Sequence, residues 1–310
     1  MKHWVIITSL VILNVELQTL NCSAQQEPQF SQNMYNILPI NPGYAGSSEA
    51  ICATLLYRNQ WVGFTGAPKT MLLSVEGPVK FLRGGLGLTV VSDKLGADKT
   101  FRAKLAYAYK VDIGPGQLGI GIQGGIINKT IEGSQFNSFI PKDQDNAIPD
   151  NNESDMTSNF AFGLYYNTDI LYFGISSSQL LESEVNYPVV DITLKRHYYL
   201  TAGYTVRLTP ALELMPSVWI KYDGTAMQGD INAIAMYNNQ FWGGITYRVQ
   251  DAIVPVIGFQ WNSIKVGYAY DITTSDLKGY SSGTHEIMLR YCFKMPENKT
   301  AQRYRNVRFL

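Results

Sequence analysis

The sequence predicts an all-β fold, an outer-membrane antiparallel β-barrel of about 14 strands with both termini in the periplasm. Three observations lead to this prediction: an export signal at the N-terminus, long segments in which polar and apolar residues alternate, and connections of alternating length. Composition agrees, because charged residues make up only 16% of the 310 residues, against about 25% in a typical soluble protein. A chain with so few charged residues is expected to have much of its surface shielded from water, here by outer-membrane lipid.

The balance of charge excludes other classes of protein. The 25 basic and 25 acidic residues cancel, and nucleic-acid-binding domains usually carry a basic excess. No nucleic-acid partner is therefore expected. Disordered chains combine low hydrophobicity with high net charge, and neither property is found in this sequence.

Residues 1–24 have the pattern of a Sec-type signal peptide. Lys2 precedes an apolar run from Trp4 to Leu13, and a stretch ending in Ser23-Ala24 offers a cleavage site before Gln25. The run is too short to span a bilayer, which takes about 20 apolar residues. The mature chain is therefore expected to leave the cytoplasm of a Gram-negative bacterium and reach its outer membrane.

Alternation predicts a transmembrane wall over residues 50–293. From Phe101 to Lys110 one set of alternate residues is apolar or aromatic, and the other includes Arg102 and Lys104. Successive side chains of a strand point to opposite faces, so one face would meet lipid and the other would point inward. A soluble β-sandwich also alternates, but its strands are usually about five or six residues long. These segments run to about ten, the length that a tilted transmembrane strand needs.

The strand count is even, as bacterial barrels require. Tight turns such as Asn167–Asp169 and Asn238-Asn239 alternate with long polar connections such as 133–155 and 178–195, although the connection at Gln250-Asp251 is short. Short turns typically face the periplasm, which places both chain termini there. The predicted strands begin near Ala50, Thr70, Gly84, Thr100, Gln117, Asn159, Leu171, Arg196, Leu212, Asp230, Gln240, Ala252, Ile264 and Thr284.

Two motifs match enzyme patterns without their structural context. Gly119–Gly124 fits the dinucleotide pattern GxGxxG, but it lies inside an alternating strand rather than at a strand-to-helix turn. Gly279–Gly283 fits GxSxG, but it lies in a polar loop. An outer-membrane hydrolase is thus a minor alternative. No catalytic, cofactor-binding or metal-binding residue is predicted, and no small-molecule substrate is expected.

Cys52 and Cys292 fall on the inward face of the first and last predicted strands. Barrel closure would pair these two strands and bring both thiols to the periplasmic end, where a disulfide becomes possible. Two unbonded cysteines are the favoured interpretation, and the disulfide is the alternative.

Inward-facing charged residues are candidates for lining the lumen. Basic residues outnumber acidic ones among them, which would favour anions in an open lumen. The candidates are Arg102, Lys104, Lys110, Glu213, Lys221, Arg248, Lys265, Glu286 and Arg290.

The segments Pro28–Asn36, Asn41–Gly46 and Leu55–Phe64 carry a family resemblance. With the C-terminal Arg303–Leu310, they resemble the PorP/SprF family of outer-membrane proteins of the type IX secretion and gliding motility systems. The resemblance covers essentially the whole mature chain. It implies a non-enzymatic barrel that works with other secretion subunits, or that exports or anchors a large secreted adhesin. The candidate partner-docking residues are Phe30, Tyr35, Asn41, Pro42, Tyr44, Tyr57, Arg58, Asn59, Gln60, Trp61, Arg303, Arg305 and Arg308.

The chain outside the predicted wall has two parts. Residues 25–49 are predicted to form a periplasmic or plug-like segment that folds under or into the barrel mouth, with apolar anchors such as Phe30 and Tyr44. Residues 294–310 form a basic tail, predicted to be periplasmic, which is either solvated or in contact with an acidic partner or headgroup. A passive pore or solute transporter is the alternative function.

Overall fold

The protein is a closed β-barrel of 14 strands in the computed structural model. The structure describes residues 27–133, 151–188 and 191–294. Neighbouring strands are antiparallel, and the pairings of β1 with β17 and of β10 with β12 close the ring. β10 and β11 are two parts of one wall strand interrupted at Thr205, and β8–β9 form a separate hairpin. The strands are β1 (Ile51–Asn59), β2 (Lys69–Val79), β3 (Gly84–Leu95), β4 (Asp98–Ile113), β5 (Gly116–Glu132), β6 (Asn152–Asn167), β7 (Leu171–Ser178), β8 (Glu184–Asn186), β9 (Asp191–Thr193), β10 (His197–Tyr204), β11 (Val206–Thr209), β12 (Leu212–Tyr222), β13 (Met227–Tyr237), β14 (Phe241–Arg248), β15 (Ala252–Trp261), β16 (Ile264–Thr273) and β17 (Thr284–Phe293).

The predicted signal peptide and nearly all of the predicted basic tail, including Arg303, Arg305 and Arg308, lie outside the described residues. Within the described ranges, no helix has the length and apolar character needed to cross a bilayer.

Side chains alternate across the wall as predicted. In β4, Arg102 and Lys104 are each 3% exposed, whereas Phe101 is 45% exposed and Leu105 is 59% exposed. The same pattern recurs in β17, where Glu286 is buried and Ile287 is exposed. The exposed apolar side chains form the continuous outer surface expected where a barrel meets lipid.

The two ends of the barrel differ. The end where Ile51 pairs with Phe293 is here called the terminal end, and the opposite end is called the loop end. Connections at the terminal end have at most four residues, whereas the loop end carries the long connections 60–68, 133–151, 179–196 and 274–283. The predicted asymmetry in connection length holds for these four loops, but the loop end also has short connections at 96–97, 223–226 and 249–251. The assignment of the terminal end to the periplasm stays a prediction.

One predicted strand boundary is wrong. β6 begins at Asn152, not near Asn159, and its first residue pairs with Glu132 of β5. The outward positions Ser154 and Ser158 are polar, so this part of the strand lacks the apolar alternation by which strands were recognised. Backbone pairing with β5 holds the extension in place.

Cys52 and Cys292 form a disulfide, so the favoured interpretation of two unbonded cysteines is wrong. The two residues are register partners across the pairing of β1 with β17, with Cα atoms 4.1 Å apart. The bond therefore joins the first and last strands of the wall. Their pairing is here called the seam.

The N-terminal segment 27–49, here called the plug, runs through the barrel interior. Glu27 lies toward the loop end, where the Nζ of Lys221 donates to its carbonyl at 2.9 Å. Ser48 lies toward the terminal end, where its hydroxyl accepts a hydrogen bond from Arg290 at 2.8 Å. Two one-turn 3-10 helices, Asn33–Tyr35 and Pro42–Tyr44, lie between them. The segment thus lies inside the barrel rather than beneath it.

Candidate functional site

A network of buried charges lies inside the seam half of the barrel. Arg248 donates to Asp230 at 3.1 Å and to Asp271 at 2.6 Å. Arg58 donates to Asp271 at 2.7 Å and to Glu286 at 3.0 Å. All five side chains are at most 3% exposed. Buried ions at this depth are tolerated only when they are paired and hydrogen-bonded. This group is here called the seam network.

The plug adds neutral hydrogen-bonding groups to the seam network. The backbone N–H groups of Ser31 and Gln32 donate to Glu286 at 2.7 and 2.8 Å. The Ser31 hydroxyl donates to Asp271 at 2.7 Å and accepts from both arginines. Three carboxylates face two guanidinium groups here, and these donors help to satisfy the additional carboxylate.

A second buried cluster inside the barrel has the reverse balance of charge. Arg102 and Lys104 of β4 and Lys221 of β12 are each at most 4% exposed. The carboxylate that pairs with this cluster comes from the plug: Glu27 lies 3.8 Å from Arg102 and 3.7 Å from Lys104. Gln179 also donates to that carboxylate at 3.0 Å. The three wall cations and Glu27 are here called the cationic cluster.

Electrostatics fixes the charge of Glu27. Burial raises the pKa of this carboxyl, but the nearby cations, led by Lys104 and Arg102, outweigh it and lower the pKa to about 2. Glu27 is therefore ionised throughout the physiological range, and it compensates cations that are almost fully buried.

Glycines make room for the middle of the plug. A Cβ on Gly121 would lie 2.2 Å from the backbone N of Gly43, and one on Gly119 would lie 2.1 Å from the Gly43 carbonyl oxygen. These distances are far below any contact between non-bonded atoms, so only glycine fits at either position. Gly119 and Gly121, two of the three glycines that matched GxGxxG, therefore allow close packing against the plug.

Side chains of the plug also contact the wall directly. Tyr35 packs against Trp242 with ring centroids 5.2 Å apart, and the Nζ of Lys265 lies 5.9 Å from the Tyr35 ring centroid. Asn41 donates its amide to the backbone carbonyl of Leu164 at 2.9 Å. These contacts anchor the plug by shape as well as by charge.

Contacts nearer the terminal end continue the anchoring. Tyr44 meets Tyr165 edge to face at 5.1 Å. The Nζ of Lys110 donates to the Gly43 carbonyl at 3.0 Å. Arg290 contacts the plug at three places: the carbonyl of Tyr35, the hydroxyl of Tyr44 and the hydroxyl of Ser48.

Most of the predicted lumen residues thus face the plug rather than open water. Glu213 differs, because it lies near the terminal end of β12 and pairs with exposed Arg207. Among the predicted docking residues, Tyr57 is 39% exposed on the outer wall, so it points away from the interior. Phe30 is partly buried against the inward cluster that includes Leu56 and Leu72.

Sequence reasoning missed the carboxylates that balance the interior: Glu27, Glu76, Asp230 and Asp271. Asp271 lies on the inward side of its alternating strand, which was a usable signal. Asp230 lies near a predicted strand start, where it is hard to assign whether a side chain points inward or outward. Glu27 lies in a segment without periodicity. With these acids present, the expected excess of basic residues no longer describes the seam half of the interior.

A cavity of about 490 Å³, lined by both polar and apolar side chains, opens at the loop end above the plug. Glu27, Pro28 and Gln29 line it from the plug, and Gln60 and Trp61 line it from the connection between β1 and β2. Three predicted docking residues, Arg58, Gln60 and Trp61, are therefore brought together with the N-terminal end of the plug.

The GxSxG stretch does not assemble a nucleophile. Ser281 accepts a hydrogen bond from the backbone N–H of Gly283 at 3.0 Å. The Nδ1 of His285 lies 2.7 Å from the hydroxyl of Tyr268 on an adjacent strand. Each group is thus engaged in a local structural contact.

Comparison with solved structures finds other barrels. The chain is similar to a TodX deltaS2S3 mutant monoaromatic hydrocarbon channel, with 10% identity, a TM-score of 0.47 and coverage of 86% of this chain and 95% of that one. It is similar to the toluene transporter TbuX of Ralstonia pickettii, with 11% identity, a TM-score of 0.47 and coverage of 84% and 93%. A Pseudomonas aeruginosa FadL homologue matches with 11% identity, a TM-score of 0.41 and coverage of 79% and 89%. Such low values carry no argument about function.

No curated protein matches the chain. The family comparison is specific: residues 22–291 match the type IX secretion system membrane protein PorP/SprF. The match includes the plug and nearly the whole wall, and it agrees with the resemblance carried by the N-terminal segments. The chain therefore belongs to the PorP/SprF family of type IX secretion system membrane proteins.

Proposed function

We propose that this protein is a non-enzymatic, non-conducting outer-membrane component of type IX secretion, which supports the export or surface anchoring of secreted proteins through protein–protein contacts. The occupied interior carries the proposal. A solute pore needs a water-filled path, whereas here the plug lies across the lumen and is held by buried ion pairs. Family membership supplies the secretion context.

The loop-end cavity is the docking surface in this proposal. Its lining combines an aromatic side chain, Trp61, with hydrogen-bonding groups such as Gln60 and Gln29. Aromatic anchors surrounded by polar groups are typical of protein interfaces. The partner is another secretion subunit or a large secreted adhesin. Surface anchoring follows if the loop end faces outward, as the lengths of the connections predict.

Affinity purification from native membranes tests this proposal. A tagged barrel should retain a protein partner, and Trp61→Ala should reduce that retention at least several-fold, since buried aromatic anchors dominate many interfaces. Trp261→Ala is the matched control, because Trp261 is 64% exposed on the outer wall at the terminal end. Equal retention by both variants would reject the cavity as the docking surface. Retention of no protein by the wild-type barrel would reject the anchoring role.

A further inference from the structure

The outer wall contains an apolar groove of about 390 Å³ where β6, β7, β10 and β12 lie side by side. The groove exists because Ser177 is small, while its register partners on the two neighbouring strands are Phe162 and Tyr198. One row closer to the terminal end, Ile175 pairs with Leu200 and forms the floor. A gap thus separates two rings on a surface that otherwise presents continuous apolar side chains.

The groove lies near the loop end of the wall. Ser177 is the second-last residue of β7, and Tyr198 is the second residue of β10. Tyr198 stacks on Tyr222, which lies at the loop end of β12, with ring centroids 6.4 Å apart. Tyrosine rings are typical of the boundary between hydrocarbon and headgroups. The groove therefore spans the upper hydrocarbon region and reaches that boundary.

A positive charge lies above the groove. Arg196 is two residues before Tyr198, and one of its guanidinium nitrogens donates to the carbonyl of Leu180 at 2.6 Å. Among the residues that the structure describes, no carboxylate comes within 4.0 Å of this guanidinium. Its Nε is buried, whereas its second terminal nitrogen is not buried and has no hydrogen bond to any described residue. This nitrogen is left for an anion.

We propose that this groove is a lipid site that takes one acyl chain of a phosphorylated membrane lipid, with Arg196 binding the phosphate. The groove is continuous with the lipid-facing wall, so its occupant has to be a hydrocarbon chain. An empty groove would leave the lining side chains without dispersion contacts on one side. A guanidinium binds phosphate through charge-assisted hydrogen bonds. The net negative charge of an anionic headgroup adds an attraction that the choline cation of a zwitterionic headgroup offsets.

Native mass spectrometry of the full-length barrel tests the site. The purified protein is mixed in detergent with phosphatidylglycerol or, in a parallel sample, with zwitterionic phosphatidylcholine. The wild-type barrel should retain one phosphatidylglycerol in preference. Arg196→Gln should lower this retention about tenfold, the loss of one charged hydrogen bond. Ser177→Trp should lower retention of both lipids, because the indole fills the groove.

Ala103→Trp is the matched control, since it adds the same side chain to an outward position of β4 between Val90 and Ile126. This variant should retain lipid like the wild type. Heat-modifiable migration in gel electrophoresis reports the folding of each variant, and Arg196→Gln decides the question if Ser177→Trp does not fold. Equal retention of the two lipids by wild type, or retention unchanged in Arg196→Gln, would overturn the proposal. The outcome is independent of whether the loop-end cavity binds a protein.

Discussion

The two buried charge clusters of the interior use the plug in opposite ways. In the seam network the wall supplies both signs of charge, and the plug adds neutral donors such as the Ser31 hydroxyl. In the cationic cluster the wall supplies three cations, and the paired carboxylate comes from Glu27 of the plug. The seam network is thus part of the wall, whereas the cationic cluster is completed only when the plug is in place. Loss of wall charges should weaken the barrel, and loss of Glu27 should weaken plug docking.

The largest effect is expected from breaking the seam network at Arg248. Arg248→Met leaves Asp230 and part of Asp271 buried without their cation, which costs about 3–5 kcal/mol of stability. The loss of heat-modifiable migration at a lower temperature measures this effect. Arg207→Met is the matched control, because the Arg207 side chain is 76% exposed and its ion pair with Glu213 is solvated. An equal shift in both variants would contradict a special role of the seam network.

The disulfide should reinforce the same half of the barrel. Cys52→Ser removes a bond between residues separated by 240 positions, and such bonds contribute about 2–4 kcal/mol. Unfolding of the variant should begin at lower denaturant concentration, and a reducing agent should shift the wild type by the same amount without shifting the variant. If reduction left wild-type unfolding unchanged, the seam would be held by hydrogen bonds and ion pairs alone.

Glu27→Gln should release the loop-end part of the plug while the wall stays folded. The substitution removes the negative charge nearest to the buried cations Arg102 and Lys104, at a cost of about 2–3 kcal/mol. A spin label at Pro28→Cys should become mobile in electron paramagnetic resonance. Glu49→Gln is the control, since Glu49 is an exposed residue of the same segment. Equal mobility of the label in the two variants would show that plug docking does not depend on the charge of Glu27.

Acid should act through the same carboxylate. The pKa of Glu27 is about 2 in the folded protein against an ordinary value of 4.5. A lowered pKa means that its contribution is complete above 4.5 and is lost as the pH falls toward 2. The label at Pro28→Cys should therefore gain mobility over this window, and the change should be absent in the Glu27→Gln background. Gain of mobility at the same pH in both backgrounds would assign the effect to other groups.

The smallest effect tests shape rather than charge. Gly121→Ala places a Cβ 2.2 Å from plug backbone, so the plug has to shift, at about 1–3 kcal/mol. Gly124→Ala lies in the same strand, but its Cβ would meet only the Phe160 ring at 3.5 Å, an ordinary contact. Protease sensitivity of the plug should rise only in Gly121→Ala. Equal sensitivity in the two variants would show that the close approach of the backbones is not required.

Periodic segments were predictable from the sequence, and the plug was predictable only in outline. The inward orientation of Arg102, Lys104 and Glu286 was predictable from the alternation of side chains along each strand of the barrel wall. The course of residues 27–49 did not follow, because short 3-10 turns and extended backbone have no period to read. The partners of Glu27 come from β4 and β12, and no local pattern encodes such a long-range contact.

The cysteine pair shows a related limit. Alternation put Cys52 and Cys292 on one face and at one end, but the exact register of the seam decides whether two thiols meet. That register pairs Ile51 with Phe293, and it makes the two cysteines direct partners. A shift of one residue would have separated them and turned one side chain outward.

Electrical conductance across a planar bilayer tests the central claim that the plug closes the barrel. The wild-type protein is predicted to insert without a steady ionic current, because residues 27–49 occupy its interior. A variant lacking these residues is predicted to conduct, since buried charges such as Lys104 and Arg248 would then line a water-filled lumen. A steady open current through the wild-type barrel, equal to that of the variant, would contradict the account.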